Sequence, residues 1–179
     1  MTEEIIVKHC APVLAGLKTA NLINCKADKN FSDNGSIEKL AKKGVETVIL
    51  AENGESSLVY VFRRTRLEND LNKPETISLL REFGYEYTSV DEAVGRLKER
   101  IAVSPCFPHE IGLFLGYPVE DVKGFIENKG RNYKCMGYWK VYCNECEAKK
   151  TFEKYKKCID VYTRVYLEGA GIDKLTVAV

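Results

Sequence analysis

Cys106, His109 and Glu110 place a thiol, an imidazole and a carboxylate within five residues of the chain. Cysteine and histidine can act as a nucleophile and its general base, and both are common zinc ligands. The segment does not match the zinc-protease pattern H-E-x-x-H, because residue 113 is leucine. Alternatively, His109 and Glu110 occupy the first helical turn after Pro108, where a carboxylate complements the helix dipole. We keep Cys106, His109 and Glu110 as candidate catalytic residues.

The chain's other histidine, His9, directly precedes Cys10, which is the fourth candidate catalytic residue. Cys10 and His109 could act as nucleophile and base only if the fold brings the two side chains together. The predicted ligand-binding residues are His9, Lys18 and Lys140. The polar groups that we expect to converge on one pocket are His9, Cys10, Lys18, His109 and Glu110.

Cys143 and Cys146 form a C-x-x-C pair near the start of a predicted helix. A helix N-terminus lowers the pKa of a thiol, so a reactive dithiol is one interpretation. Together with Cys135 and Cys158 the spacing contains one close pair, whereas structural zinc sites usually contain two. Cys143 and Cys146 are the candidate metal ligands, and partly buried structural thiols are the alternative.

Residues 109–130 have the spacing of two helices joined by a short turn, with Gly116 at the turn. We expect Gly112 where the two helices approach closely and Gly124 on the exterior. Helix-turn-helix DNA-binding proteins share this spacing. Here, however, residues 118–129 contain three acidic residues and two lysines, a local charge of −1. Because recognition helices present basic and amide side chains to DNA, we favour a helical hairpin without a nucleic-acid partner.

The segment from Gly137 to Tyr142, GYWKVY, is rich in aromatic residues. Aromatic rings could stack a flat ligand, although alternating aromatic residues in a strand more often form core and cross-strand pairs. The chain contains no dinucleotide-binding glycine motif, Walker loop, G-x-S-x-G motif or kinase signature. The motifs therefore assign no reaction class.

Composition indicates one globular domain over residues 1–179. The chain has 27 basic and 26 acidic residues, and 45% of its residues are hydrophobic, which excludes an intrinsically disordered chain and a polybasic tail. We expect no membrane span and no secretory signal, because no apolar run is long enough and the chain opens with acidic residues. The seven cysteines are an odd number and are expected to be free thiols in the cytosol.

The elements that must position these groups follow from hydrophobic periodicity and turn residues. We expect a helix over residues 3–10 that Pro12 ends, while residues 14–25 fit either a helix or a strand. Ser36 is expected to cap a short helix that ends at Gly44.

A β-hairpin is predicted over residues 45–51 and 58–63, with a type I′ turn at Asn53-Gly54. The second strand is expected to be central, because both of its faces are apolar. Further strands are expected at residues 137–142 and 175–179.

Three further helices are predicted after the β-hairpin. Pro74 is expected to begin one helix, and Ser89 and Glu92 form a capping box for the next. Residues 145–167 carry an apolar and aromatic stripe at helical spacing. We therefore predict the α+β class: a small, mainly antiparallel sheet packed by helices, including the helical hairpin and a long C-terminal helix.

Three blocks of the sequence carry a family resemblance: HCAPVLAGLK over residues 9–18, CFPHEIGLFLGYP from residue 106 and continuing to Asn128, and GYWKVY. They resemble a bacterial family of unknown function that is common in anaerobic Gram-positive organisms. The resemblance implies a one-domain cytosolic protein without an assigned activity. The family segment after GYWKVY is usually acidic and lacks cysteines, so the resemblance makes Cys143 and Cys146 departures and weakens a C-x-x-C function.

The residues and the resemblance together indicate a cytosolic protein that binds a small molecule or a metal in a pocket lined by cysteine, histidine and lysine. Two alternatives remain open. One is a helix-turn-helix regulator that binds nucleic acid, and the other is a thiol-dependent enzyme.

Overall fold

Residues 2–26, 35–104 and 106–178 are the parts of the chain that the computed structural model describes. Within them, eight helices accompany a three-stranded and a two-stranded antiparallel sheet. This arrangement confirms the predicted α+β class. Two compact units are formed, one by the residues up to Leu67 and from Tyr155 onward, the other by Glu68–Lys154. That residues 1–179 form one domain stays a prediction.

The first unit is built on three strands, β1 (Ala20–Lys26), β2 (Val45–Glu52) and β3 (Ser56–Arg63). Their order is β1-β3-β2 and both pairings are antiparallel, so the second hairpin strand is central, as predicted. Apolar residues on both faces of β3 bury the strand from both sides.

Helices α1 (Glu3–Leu14) and α2 (Ser36–Ala41) belong to the same unit. Its buried core draws on these helices, the sheet and the C-terminal segment. The core residues are Ile6, Val7, Cys10, Val13, Leu14, Ile23, Cys25, Leu40, Val45, Val59, Val61, Ile172 and Leu175.

Helix α1 continues through Pro12, contrary to the prediction that Pro12 ends it. The end is set by Gly16, whose φ of 70° lies in the left-handed region. Gly16 N donates to Val13 O at 3.0 Å and Leu17 N donates to Pro12 O at 2.8 Å. These two bonds form a Schellman motif, which satisfies carbonyl groups in the last turn.

Two predicted turn and cap residues have different roles in the structure. Ser36 does not cap α2: Gly35 precedes the helix, and Ser36 Oγ donates to Glu3 Oε1 at 2.7 Å. The type I′ turn is also wrong, because only Gly54 of the central pair has a positive φ. The Asn53 side chain forms the turn instead, and its Oδ1 accepts a hydrogen bond from Ser56 N at 2.7 Å.

The C-terminal segment does not form the strand that we predict from residue 175, at least as far as residue 178, the last one described. Its backbone makes separate hydrogen bonds instead: Val177 N donates to Leu14 O at 3.0 Å, Val177 O accepts from Arg63 at 2.8 Å, and Thr176 O accepts from Lys43 at 2.8 Å. Such bonds fix the segment without extending a sheet.

The second unit contains α4 (Pro74–Glu82), α5 (Val90–Val103), α6 (Ile111–Phe114), α7 (Val119–Glu127), β4 (Cys135–Met136) and β5 (Lys140–Val141). The unit boundaries fall inside α3 (Arg64–Leu71) and α8 (Glu145–Leu167). Pro74 begins α4, and Ser89 Oγ accepts a hydrogen bond from Glu92 N at 3.2 Å, so both predicted helix starts are confirmed.

The strand predicted over residues 137–142 is mostly wrong. Only Lys140 and Val141 pair with β4, and Gly137 N donates to Trp139 O at 3.1 Å within the connecting turn. None of the helices in the described ranges is long and apolar enough to cross a membrane.

Candidate functional site

A groove of about 330 Å³ in the second unit brings together two of the sequence blocks singled out above. One wall comes from residues 107–125 and the other from residues 136–140. The lining residues that carry the argument below are Phe107, His109, Tyr117, Asp121, Trp139 and Lys140.

The first wall is a helical hairpin whose close packing was predicted from its glycine spacing. Gly116 ends α6 with a φ of 75°, and Tyr117 N donates to Gly112 O at 2.9 Å. A Cβ atom on Gly112 would lie 2.7 Å from Val122 Cγ2, so only glycine allows α6 and α7 to approach this closely. The expected hairpin and its close contact at Gly112 are confirmed.

Asp121 of α7 holds the second wall in place. Its carboxylate is 2% exposed, and Oδ2 accepts a hydrogen bond from Trp139 Nε1 at 2.8 Å. Oδ1 accepts three more, from Tyr142 N at 2.7 Å, Cys143 N at 3.0 Å and Cys143 Sγ at 3.1 Å. Four donors therefore satisfy this buried carboxylate, and they fix the orientation of the Trp139 ring.

Aromatic rings form much of the surface between the walls. The Tyr117 and Trp139 rings stack with centroids 5.0 Å apart and planes 29° apart. The far edge of Trp139 packs against Phe152 in a T-shaped arrangement at 4.6 Å. Since Tyr117 Oη also donates to Tyr138 O at 3.1 Å, the rings are held in place before any ligand arrives.

Lys140 and His109 supply the polar groups of the groove, and both contact Phe125. Lys140 Nζ lies 5.5 Å from the centroid of the Phe125 ring and 5.0 Å from that of Tyr133, and donates to Gly130 O at 2.7 Å. The exposed His109 ring meets Phe125 edge-on at 5.0 Å. Two of the predicted site residues therefore line one groove.

Glu110 lies next to His109 in sequence but does not line this groove. It is 2% exposed, forms an ion pair with Arg100, and accepts a hydrogen bond from Tyr85 Oη at 3.2 Å. Burial and the neighbouring Glu110 raise the pKa of the Tyr85 hydroxyl. Glu110 directly precedes α6 but makes no capping bond, so its carboxylate serves a buried ion pair rather than the helix end.

His9, Cys10 and Lys18 lie in the first unit. Lys18 is 5% exposed and its Nζ donates to Asn21 Oδ1 at 2.8 Å, while Asn21 Nδ2 donates to His9 O at 2.6 Å. Burial raises the pKa of the Cys10 thiol to about 12 and lowers the pKa of the Lys18 ammonium to about 8. These pKa shifts leave Cys10 protonated at neutral pH, which does not suit a thiolate nucleophile.

The remaining cysteine candidates are spread over different environments. Cys106 and Cys146 are exposed, and Cys143 donates to Asp121, so that burial and this hydrogen bond raise the pKa of the Cys143 thiol. Among the described residues, no group of three or more histidine, cysteine or acidic side chains could hold a metal ion. A metal bound by Cys143 and Cys146 stays a prediction.

The outward face of α7 bears on the nucleic-acid alternative. Glu120, Lys123 and Glu127 are exposed on it. Gly124, which we expected on the exterior, is buried, and a Cβ atom there would lie 2.5 Å from the Tyr142 ring. The exposed part of α7 is therefore more acidic than basic, which does not favour DNA phosphates.

Sequence reasoning missed Asp121 as a buried carboxylate and Phe107 and Tyr117 as groove residues. An acidic residue at a helix start is normally explained by the helix dipole, so nothing local identified Asp121. Phe107 and Tyr117 carried a signal, since both lie in the long block that begins at Cys106.

Comparison with known proteins gives one match. A family model described as "Protein of unknown function (DUF3793)" matches residues 6–176. No curated protein matches the chain. No solved structure matches it either.

Proposed function

The chain belongs to the DUF3793 family of proteins of unknown function, and from its own geometry we propose that it binds a small planar organic molecule in the groove of the second unit. The observation that carries the proposal is the aromatic wall of Tyr117 and Trp139 beside the polar groups of His109 and Lys140. Ligand sites usually combine apolar, aromatic walls with a few polar groups that orient the ligand.

The size and rigidity of the groove support this proposal. Its volume of about 330 Å³ falls within the range of roughly 300–1,000 Å³ that is typical of small-molecule sites. Asp121 fixes Trp139, and the Tyr117 hydroxyl donates a hydrogen bond to Tyr138 O, so little ordering is needed when a ligand binds. Preorganised walls of this kind increase affinity because fewer side chains lose freedom on binding.

Binding fits the groove better than thiol catalysis does. The lining begins at Phe107, so Cys106 lies outside it, and Cys10 is a buried thiol of the first unit with a raised pKa. Of the two ligand classes expected from the sequence, the small molecule is the one that the aromatic walls favour. The cytosolic location stays a prediction.

The experiment uses Trp139, the only tryptophan of the chain, which gives one indole N–H signal in a ¹⁵N-correlated NMR spectrum. We expect 2-naphthoate and 2-naphthamide, two planar aromatic probes, to shift this signal in a saturable manner. Replacing the half-exposed Phe107 by alanine should weaken binding by about 3- to 10-fold, since one aromatic contact contributes about 0.5–1.5 kcal/mol.

Leu167→Ala is the matched control, because Leu167 is an exposed apolar side chain outside the groove. It should leave both affinities unchanged. If neither probe shifts the indole signal at the highest concentration that dissolves, the proposal is overturned.

A further inference from the structure

We infer that the groove selects planar aromatic ligands that carry a carboxylate, with Lys140 and His109 as the residues that recognise the negative charge. This inference rests on the proposed function and adds to it the chemical class of the ligand. It depends on which polar groups of the groove still have hydrogen-bonding capacity.

Lys140 has that capacity. Its ammonium group has three protons to donate, and one of them is used by Gly130 O at 2.7 Å. Among the described residues, Lys140 forms no ion pair with a carboxylate. A half-buried cation at the edge of an apolar groove therefore has room for an anionic partner, and a charge-assisted hydrogen bond is stronger than a neutral one.

His109 adds a second donor near the same ring. Its imidazole and Lys140 Nζ lie within 5.0 and 5.5 Å of the centroid of Phe125. An imidazole carries at least one N–H in either charge state. Both side chains contact the same ring, and we place the carboxylate of the ligand beside Phe125, where these two donors lie.

The carboxylate of Asp121 does not make the groove a site for a cationic ligand, because its hydrogen bonds go to other residues of the protein. Its two oxygens already accept four hydrogen bonds from residues 139–143, and the carboxylate is 2% exposed. Asp121 acts as an internal anchor for the second wall. His109 is exposed and Lys140 is half-buried, whereas Asp121 is buried, so the two donors are more accessible to a ligand than the carboxylate is.

An aromatic box for a quaternary ammonium group is the main alternative, because cations bind to aromatic faces. In this chain the faces of Phe125 and Tyr133 already carry a cation, the ammonium group of Lys140. A second cation would have to displace Lys140 or face its charge. Tyr117 and Trp139, which also line the groove, are stacked with each other, and we expect a planar ring of the ligand to pack against this pair.

The test compares 2-naphthoate with 2-naphthamide, which share the ring system and differ in charge. From the extra strength of hydrogen bonds to charged groups, we expect the wild-type protein to bind the carboxylate about tenfold more tightly. Lys140→Gln should remove this preference while the affinity for the amide stays constant. Lys123→Gln, which removes an exposed lysine of α7 outside the groove, is the matched control and should keep the preference.

Two further measurements keep the inference testable if Lys140→Gln folds poorly. Lys140→Arg retains the charge and should retain the preference. In the wild-type protein, higher ionic strength should weaken binding of the carboxylate and leave the amide unaffected.

The outcomes separate the two proposals. Equal affinity for both probes, unchanged in Lys140→Gln, would overturn the inference and leave the proposed function standing. Tighter binding of the amide would also overturn the inference. If neither probe binds, the proposed function fails and the inference fails with it.

Discussion

Lys18 is a buried cation whose titration links one side chain to the stability of the protein. Burial lowers the pKa of its ammonium group to about 8, whereas the unfolded chain titrates near the ordinary value of 10.5. Between these two values the unfolded state binds more protons than the folded state. Stability therefore rises with pH from about 8, where the folded protein releases the proton that the unfolded chain retains.

The prediction is that Lys18 contributes a gain of about 1 kcal/mol to the free energy of unfolding between pH 8 and pH 9, seen as the difference between the wild-type protein and Lys18→Met. The difference is needed because the raised pKa values of Cys10 and Cys158 act in the opposite direction, and with an unfolded value of 9.0 these thiols already do so between pH 8 and pH 9 in both proteins. Urea denaturation at several pH values measures the gain, and Lys18→Met should abolish it. An equal slope in both proteins would contradict the assignment.

At the scale of residues, the sequence identified chemical groups better than it identified their partners. His109 and Lys140 were predicted site residues, and they line one groove because their blocks fold into its two walls. The prediction that His9, Cys10, Lys18, His109 and Glu110 share one pocket is not carried into the proposal. Asp121 was missed because Trp139 and Tyr142, which donate to it, are 18 and 21 residues away along the chain.

At the scale of elements, glycine has different roles in helices α7 and α5. Gly124 of α7 lies against the Tyr142 ring, where a Cβ atom would be 2.5 Å from the nearest ring carbon. Gly95 of α5 has no atom within 4 Å of the equivalent position. The first glycine is required by packing, whereas the second only lowers helix propensity.

Replacing each glycine by alanine should therefore have opposite effects on stability. Gly95→Ala should stabilise the protein by about 1 kcal/mol, the difference in helix propensity between the two residues. Gly124→Ala should destabilise it by roughly 1–3 kcal/mol, because overpacking displaces Tyr142. Thermal unfolding followed by circular dichroism measures both changes. The same sign for the two variants would contradict the packing role of Gly124.

Elements were predictable where one local signal dominates. The stripe of apolar residues in α8 gave its range, 145–167, because helical spacing persists over 23 residues. The alternation of aromatic residues in GYWKVY indicated a strand. In the structure, Trp139 Nε1 and Tyr142 N donate hydrogen bonds to the Asp121 carboxylate, and these bonds hold the segment in a turn instead. A turn held by a distant carboxylate leaves no local pattern in the sequence.

At the scale of the whole molecule, the α+β class followed from the mixture of strand and helix periods, but the division into two units did not. Composition and length indicated one domain, and no linker marks a boundary. The unit boundaries lie inside α3 and α8, at Leu67 and Tyr155. A boundary within a continuous helix has no glycine, proline or polar linker to reveal it.

Arg63 allows the single-domain prediction to be tested. It is fully buried in the first unit, and its guanidinium donates to Val13 O at 2.5 Å, Leu14 O at 2.5 Å and Val177 O at 2.8 Å. These bonds connect the end of α1 with the C-terminal segment. Arg63→Met would leave these three carbonyl groups, and Lys43 O at 3.5 Å, without this donor and should cost roughly 3 kcal/mol or more. Arg66→Met, at an exposed position of α3, is the control.

If residues 1–179 unfold as one domain, the loss of stability caused by Arg63→Met must also appear at a reporter in the second unit. The fluorescence of Trp139, in the second unit, should then lose its native value at the same lowered temperature as the circular dichroism signal of the whole chain. Calorimetric and van't Hoff enthalpies should agree, as they do for a two-state transition. In the contrary outcome, the midpoint of the Trp139 fluorescence transition stays at the wild-type temperature while the midpoint of the circular dichroism transition falls. That result would show that the two units unfold independently.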